Sequence, residues 1–159
     1  MTDREVIRHT LAALAYRAAK TMRGAPASFA DFRAPGAGST PLSIVAHMGD
    51  LFDWALSMAN GEGKWTSGTP QAWDAECARF FTSLKAFDER MASDEPLGYE
   101  MTRLLQGPIA DALTHTGQLA MVRRLSGAPM KGESYVRADI VIGRISLEQT
   151  PPDPKFEFD

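Results

Sequence analysis

Apolar residues recur every three or four positions in four stretches of this chain, and each stretch is bounded by residues that start or stop helices. In the first stretch the recurring residues are Ile7, Leu11, Leu14, Ala18 and Met22. Thr2 and Glu5 precede them at the spacing of a capping box, while Gly24 and Pro26 follow them. A repeat close to 3.6 residues is that of an amphipathic α-helix, so this stretch predicts a helix that ends near Gly24.

The second and third stretches begin in the same way, with the pairs Thr40-Pro41 and Thr69-Pro70. Each pair combines an N-cap hydroxyl with a proline suited to the first helical position. The apolar residues that follow are Ile44, Met48, Leu51, Ala55 and Met58, and then Trp73, Cys77, Phe80, Leu84, Phe87 and Met91. Residues 23–40 are rich in Gly, Pro, Ala and Ser, so we expect a long crossover between the first two helices.

The fourth stretch is apolar on most faces, which predicts a central helix. Gly107 and Pro108 interrupt it, so we expect a short helical lead-in followed by a main helix from Pro108 to about Ser126. Beyond it, residues 130–159 favour extended chain around Tyr135 and at 140–142. The sequence thus predicts that residues 1–129 form an all-α four-helix bundle with a long first crossover. Residues 130–159 are predicted to form a C-terminal extended tail packed on the bundle.

Composition excludes several classes of function. The 159 residues carry a formal net charge of −3 and contain no run of Lys and Arg, so we expect no nucleic-acid partner. No stretch reaches the ~20 apolar residues of a membrane span. Cys77 is the single cysteine, which excludes an internal disulfide framework, and its place on an apolar helix face predicts a packing role. These features predict a cytoplasmic protein that does not bind a membrane.

The three histidines differ in their placement on the helices. His9 lies opposite the apolar face of the first helix and should face solvent, whereas His47 flanks the apolar face of the second. Asp111, His115 and Gln118 share one face of the fourth helix, which we expect to be interior. A buried carboxylate and imidazole either pair with each other or bind a cation. In the second case His47 completes a site of two imidazoles and one carboxylate, which leaves open positions on a zinc-like or iron-like ion.

Two segments resemble the DinB/YfiT-like metal-binding four-helix bundles. One is residues 44–47 with Trp54 downstream, and the other is residues 108–119 followed by residues 123–129. The resemblance implies a divalent metal ion (zinc, nickel, iron or manganese) bound by His47, Asp111 and His115. The chain departs from the usual family pattern at Asp111, where a histidine is commonest, and at Thr116, where arginine is usual.

The resemblance also implies an activity. Characterised branches of that family are S-transferases and isomerases that use a low-molecular-weight thiol, so we expect a metal-dependent enzyme that transfers a thiol to an electrophilic small molecule. Gln118 is then expected to contact a ligand or the substrate, and Trp54 to form a pocket wall, although both residues also suit plain packing. Two alternatives stay open: a metal-dependent hydrolase on the same site, and a non-catalytic binding or dimerisation module. The resemblance further implies a homodimer.

The remaining polar residues have simpler interpretations. Arg123 and Arg124, near the end of the fourth helix, suit the negative end of its dipole without a ligand. Tyr135 and Arg137 in the tail are candidates to cover the mouth of the site.

Overall fold

The structure, a computed structural model, describes residues 1–159 and is mostly helical. The helices are α1 (Asp3–Met22), α2 (Pro41–Ala59), α3 (Trp73–Ala92), α4 (Met101–Leu104) and α5 (Ala110–Leu125). A π-helical turn, Leu105–Ile109, joins α4 to α5, and short 3₁₀ turns cover Ala27–Phe29, Tyr135–Arg137 and Pro154–Phe156. Two short strands, β1 (Gly132–Glu133) and β2 (Glu157–Phe158), pair antiparallel. The predicted helical fold is confirmed, with this small sheet added to it.

Capping explains where two of the helices begin. The side chains of Thr2 and Thr40 accept hydrogen bonds from the backbone N–H groups of Glu5 and Ser43, and both form complete capping boxes. The predicted start of α3 at Thr69-Pro70 is wrong, because the helix begins at Trp73 without a side-chain cap.

The start of α3 has a specific cause. The carboxylate of Glu76, inside the helix, accepts a hydrogen bond of 2.8 Å from the backbone N–H of Gln71, outside it. This bond holds the chain before Trp73 in a loop, so Thr69-Pro70 lies in the connection between α2 and α3.

The core lies between α1, α2, α3 and α5. Contacts join α2 to α3, α1 to α3, α1 to α5 and α2 to α5, and those between α2 and α3 are the most extensive. The predicted central place of the fourth helix is wrong, because Met121 and Leu125 on α5 are exposed. The most enclosed helix is α2, which buries twelve of its 19 residues.

The tail is held on α1 by a buried polar contact. Glu133 of β1 accepts hydrogen bonds from the Tyr16 hydroxyl at 2.8 Å and from Lys20 Nζ at 2.7 Å. Lys20 also contacts Glu157 of β2 at 3.0 Å. Burial alone would lower the pKa of Lys20, but these two hydrogen bonds raise it above its ordinary value. Both strands of the small sheet are therefore tied to one lysine.

The structure of the tail differs from the prediction in detail. Extended chain was predicted around Tyr135 and at residues 140–142, yet Tyr135–Arg137 form a 3₁₀ turn and residues 140–142 form no strand. The Tyr135 ring packs edge-on against Tyr16, and the Arg17 guanidinium lies 4.1 Å from its centroid. Docking on α1 therefore overrides the local preference for extended chain. Ile145, further along the tail, is buried in the core.

Across the fold, no helix combines the length and the apolar character needed to cross a membrane.

Candidate metal centre

Two helices bring together the three residues predicted to bind metal. His47 lies in the first half of α2, and Asp111 and His115 lie one turn apart at the start of α5. One potential ligand atom from each residue lies within 4.8 Å of the other two. The two imidazole rings meet edge to face, with their centroids 4.9 Å apart. The cluster could therefore hold a metal ion.

The contacts of Asp111 with the two imidazoles are longer than those of a tight ion pair. His47 Nε2 lies 3.4 Å from one oxygen of Asp111, and His115 Nε2 lies 3.5 Å from the other. Charge-assisted hydrogen bonds are shorter, typically about 2.7–2.9 Å. Ligands about 2.1 Å from a tetrahedral ion lie about 3.4 Å from each other. Each nitrogen thus lies at the ligand–ligand spacing from a different oxygen of Asp111, and one ligand atom from each of the three residues lies within 4.8 Å of the other two.

Gln118 prepares His115 for such a role. The side-chain oxygen of Gln118 lies 2.7 Å from Nδ1 of His115 and can only accept a hydrogen bond, so Nδ1 carries the proton. In the neutral ring this leaves Nε2 with its lone pair directed at the cluster. A hydrogen bond that fixes the tautomer of the histidine is the usual arrangement around metal-ligating imidazoles. The structure thus places Gln118 in contact with His115, and its predicted role at a metal or substrate stays a prediction.

The cluster is nearer the surface than predicted. The side chains of His47, Asp111 and His115 are 38%, 45% and 19% exposed. The expectation that Asp111 and His115 face an interior is wrong, because α5 packs on one side of the fold and leaves this face partly open. His47 is partly buried, as predicted. An ion held here would keep a side open to solvent and substrate, which is typical of catalytic rather than structural sites.

A break in the helix precedes Asp111. Gly107 has the non-helical angles φ −88° and ψ −105°, and Pro108 has no N–H to donate, so the chain forms a π turn before α5 begins. Asp111 consequently lies in the first turn of α5, where the helix dipole favours negative charge. Helical π turns are frequent at functional sites.

A cleft of about 390 Å³ opens beside the cluster. It is lined by Leu51, Trp54, Gln106, Gly107, Ala110, Asp111 and Thr114. Asp111 therefore belongs to the candidate metal site and also lines the cleft. Trp54 forms one wall of the cleft, and its indole N–H donates to the carbonyl oxygen of Gly63 at 3.3 Å. These neighbours fix Trp54 next to the cluster.

Sequence analysis missed Trp65. Its ring lies 5.6 Å from the ring of His47 and 5.6 Å from that of Trp54, although it comes from the loop between α2 and α3 and is exposed. The only signal in the sequence was that this tryptophan lies in a segment without an apolar repeat. Core packing therefore does not explain a tryptophan at that position. Its partners follow from the course of the loop, which the sequence pattern does not indicate.

A network of charges supports α2 just beyond His47. Arg79 of α3 contacts Asp50, Asp53 and Glu76 at 2.9, 3.2 and 2.8 Å, and donates to the carbonyl oxygen of Ala46 at 2.7 Å. Burial raises the pKa of Asp50, and the neighbouring guanidinium opposes this rise. The network ties α3 to the segment of α2 that carries His47.

Gly49 packs directly against the guanidinium of Arg79. A Cβ atom at Gly49 would lie 2.8 Å from the guanidinium carbon of Arg79, closer than side chains normally approach. Any larger residue would displace Arg79 and, with it, the contact to Ala46 beside His47.

Four other candidate residues lie apart from the site. His9 is exposed on α1, as predicted. Cys77 is buried, and burial raises the pKa of its thiol to about 12, which excludes it as a nucleophile at neutral pH. The Tyr135 ring contacts Tyr16 and Arg17 on α1, and the Arg137 guanidinium lies over the Phe156 ring in the tail. These contacts do not support the prediction that Tyr135 and Arg137 cover the mouth of the site.

The dipole of its own helix, through which Arg123 was interpreted, does not account for all of its contacts. Arg123 is 5% exposed and donates to the carbonyl oxygens of Thr21 and Arg23 at the end of α1, at 2.9 and 3.1 Å. It also donates to the carbonyl oxygen of Ala128 at 2.7 Å. Arg123 therefore satisfies the last carbonyl groups of a neighbouring helix, a role that helix periodicity cannot show. Arg124 is exposed.

Comparisons of this chain with known protein families, with curated proteins and with solved structures find no match. The chemical interpretation of the cluster therefore rests on the geometry described above.

Proposed function

We propose that this protein is a metal-dependent enzyme in which His47, Asp111 and His115 bind one divalent ion. The single observation that carries the proposal is the spacing of His47 Nε2 and His115 Nε2 at 3.4 and 3.5 Å from the two oxygens of Asp111. The hydrogen bond between His115 and Gln118 supports it, because the imidazole tautomer is already that of a ligand.

The donor set narrows the choice of ion. Two imidazoles and one carboxylate suit zinc, iron, nickel or manganese, whereas calcium and magnesium prefer oxygen ligands alone. When bound, such an ion lowers the pKa of a coordinated thiol or water molecule and so supplies a nucleophile at neutral pH. The chain itself offers no competing thiol here, since its one cysteine is buried.

Thiol transfer is the preferred reaction. We propose that the chain is a four-helix bundle of the DinB/YfiT-like type with a long first crossover, and that a low-molecular-weight thiol is the cosubstrate. In this scheme Asp111 and the two histidines orient the nucleophile, and Trp54 forms a wall for the electrophilic small molecule. Hydrolysis on the same residues is the second candidate, favoured by the partial exposure of the cluster, which admits water.

Zinc titration tests the metal site. Calorimetry of the metal-free protein should show one site per chain, and His115→Ala should weaken it at least 100-fold, because a ligand is lost. His9→Ala is the matched control: it removes an exposed histidine of α1 and should leave zinc affinity unchanged. Equal zinc affinity in the wild type and His115→Ala would contradict the proposal and favour a non-catalytic binding or dimerisation module.

A second measurement separates the two reactions. The zinc-loaded protein is mixed with a chromogenic electrophile with and without glutathione, bacillithiol or mycothiol. Consumption that requires a thiol supports transfer, and consumption without one assigns the hydrolase.

We also propose a homodimer in the cytoplasm with a small molecule as its substrate. Apolar side chains exposed on α5, at Met121 and Leu125, are suitable for a dimer contact. Sedimentation of the wild type and of Leu125→Glu tests this: the variant should sediment as a monomer if α5 forms the interface.

A further inference from the structure

A second cleft adjoins the metal cluster through Gln118, which lines this cleft and contacts His115. We call it the crossover cleft, because residues 37–39 of the connection between α1 and α2 form part of its wall. The cleft described above, which includes residues of the π turn, is then the π-turn cleft. The crossover cleft has a volume of about 260 Å³ and is lined by Ala37, Gly38, Ser39, Ile44, Gln118 and Val122.

On α2 the two clefts lie on either side of His47. Ile44, three residues before His47, lines the crossover cleft. Leu51 and Trp54, four and seven residues after it, line the π-turn cleft. Spacings of three and four residues keep these side chains on one face of the helix.

On α5 the same sites follow in the opposite order along the chain. Asp111 lines the π-turn cleft, and His115 comes four residues later. Gln118, three residues after His115, lines the crossover cleft. Seven residues of α-helix, the separation of Asp111 and Gln118, span about 10 Å. The cluster therefore lies between the two clefts, and two small molecules bound in them would approach it from opposite sides.

Gln118 has a hydrogen-bond donor to spare. Its side-chain oxygen lies 2.7 Å from Nδ1 of His115, which leaves the amide N–H groups of an exposed side chain without a protein partner. The backbone N–H groups of Gly38 and Ser39 likewise donate to no backbone acceptor. None of the six lining residues is charged. The crossover cleft thus offers neutral donors, which match an uncharged ligand with an acceptor such as an amide carbonyl oxygen.

From this arrangement we infer that the crossover cleft binds a second substrate through a carbonyl oxygen that accepts a hydrogen bond from the Gln118 amide group. The inference rests on the proposed function and deepens it. In a transfer reaction the crossover cleft is the place of the thiol cosubstrate, and the π-turn cleft takes the electrophile. Hydrolysis uses water as its second reactant and needs no second cleft.

Two thiols that differ by an amide group test this assignment: N-acetylcysteamine and ethanethiol. Each is titrated into the full-length protein loaded with cobalt(II), and the charge-transfer absorption of the cobalt–thiolate bond reports binding. The amide preference is the ratio of the affinity for N-acetylcysteamine to that for ethanethiol. Because a change at the metal affects both thiols alike, a change in this ratio isolates the contribution of the amide group.

Ser39→Trp and Thr114→Trp form a matched pair of variants. Each places an indole at an exposed hydroxyl residue that lines one of the two clefts. Ser39→Trp fills the crossover cleft and should lower the amide preference about threefold to tenfold, which corresponds to one hydrogen bond. Thr114→Trp fills the π-turn cleft and should leave the amide preference unchanged.

Gln118→Glu separates the two contacts of this side chain. A carboxylate still accepts the hydrogen bond from Nδ1 of His115, but it has no N–H to donate to a carbonyl oxygen. Zinc, measured by calorimetry, should therefore bind at least as tightly as to the wild type, while the amide preference falls at least as far as in Ser39→Trp. If Gln118 served only to hold His115, this substitution would not alter the preference between the two thiols.

An amide preference that is unchanged in Ser39→Trp or in Gln118→Glu would overturn the inference. A fall in Thr114→Trp alone would also overturn it and would place the thiol in the π-turn cleft, and so would the absence of thiol absorption in the cobalt-loaded wild type. Failure of the proposed function is distinct, because the wild type would then bind neither zinc nor cobalt, and the second substrate site would fall with the enzyme.

Discussion

Replacing Lys20 with methionine tests how the tail is held on the helices. Lys20 and Glu133 are almost fully buried, with side chains 8% and 2% exposed, and their charged atoms lie 2.7 Å apart. Glu157 adds a second contact to the lysine at 3.0 Å. The substitution removes both contacts and leaves Glu133 with the Tyr16 hydroxyl as its remaining side-chain donor.

The expected loss can be worked out from these contacts. Breaking a buried ion pair by removing one partner costs about 3–5 kcal/mol, because the other charge stays buried without compensation. The lower end applies here, since Tyr16 still donates to Glu133, and Glu157, 17% exposed, can regain contact with water. Lys20→Met should therefore lower the free energy of unfolding by about 3 kcal/mol, which corresponds to a fall in Tm of roughly 6–12 °C for a chain of this size.

Urea denaturation followed by circular dichroism measures this loss, with Lys85→Met as the matched control. Lys85 and Glu89 are both exposed and lie 3.8 Å apart, so their pair should contribute less than about 0.5 kcal/mol. Adding Glu133→Leu to Lys20→Met removes the stranded charge and should recover about 2 kcal/mol, leaving the cost of the unpaired Tyr16 hydroxyl. The reasoning would be refuted if Lys20→Met cost no more than Lys85→Met, or if the double variant were less stable than the single one.

Three further predictions follow from other contacts. Arg123→Met should lower the free energy of unfolding by about 2–4 kcal/mol, because it leaves buried carbonyl groups without donors. Arg124→Met, at an exposed position, should change it by less than about 0.5 kcal/mol, and urea denaturation of both variants measures the difference. Gln118→Ala should weaken zinc affinity by about 10–100-fold in a calorimetric titration, since the tautomer of its histidine partner is no longer fixed. Burial and the hydrogen bond to Glu133 raise the pKa of Tyr16 above its ordinary value of 10.0. The neutral Tyr16 hydroxyl therefore contributes fully to folding stability below about pH 10, and this contribution is lost as the pH rises from there towards the raised pKa. Tyr16→Phe should accordingly reduce the slope of stability against pH in that alkaline range, and an unchanged slope would contradict this assignment.

Much of the helical architecture could be predicted because it depends on local sequence. A hydroxyl at the N-cap followed by proline, as at Thr40-Pro41, starts the helix at that proline. The same pair at Thr69-Pro70 is not a helix start, because the carboxylate of Glu76, five residues beyond Gln71, accepts a hydrogen bond from the backbone of Gln71 and the helix begins only at Trp73. A start signal thus succeeds only where no other side chain nearby competes for the same backbone groups.

Burial was harder to predict than periodicity. The fourth helix contains apolar residues on most faces, yet Met121 and Leu125 are exposed and Arg123 is buried. Helix periodicity indicates which residues share a face, but it does not say which face a neighbouring helix will cover. That choice is made by packing between segments far apart in sequence, as when Arg123 reaches the end of α1.

The candidate site combines both kinds of information. The spacing of Asp111, His115 and Gln118 on one helix is local, so their common direction could be predicted, whereas the contact of Trp65 with His47 depends on the path of a loop. An ion at this site is also not needed to hold the fold together. A core of 29 buried residues lies between the helices, and none of the three potential ligands belongs to it. Because His47, Asp111 and His115 are partly exposed and Gln118 lies on the same helix as the last two, the helix packing does not depend on an ion, as the proposed catalytic role requires.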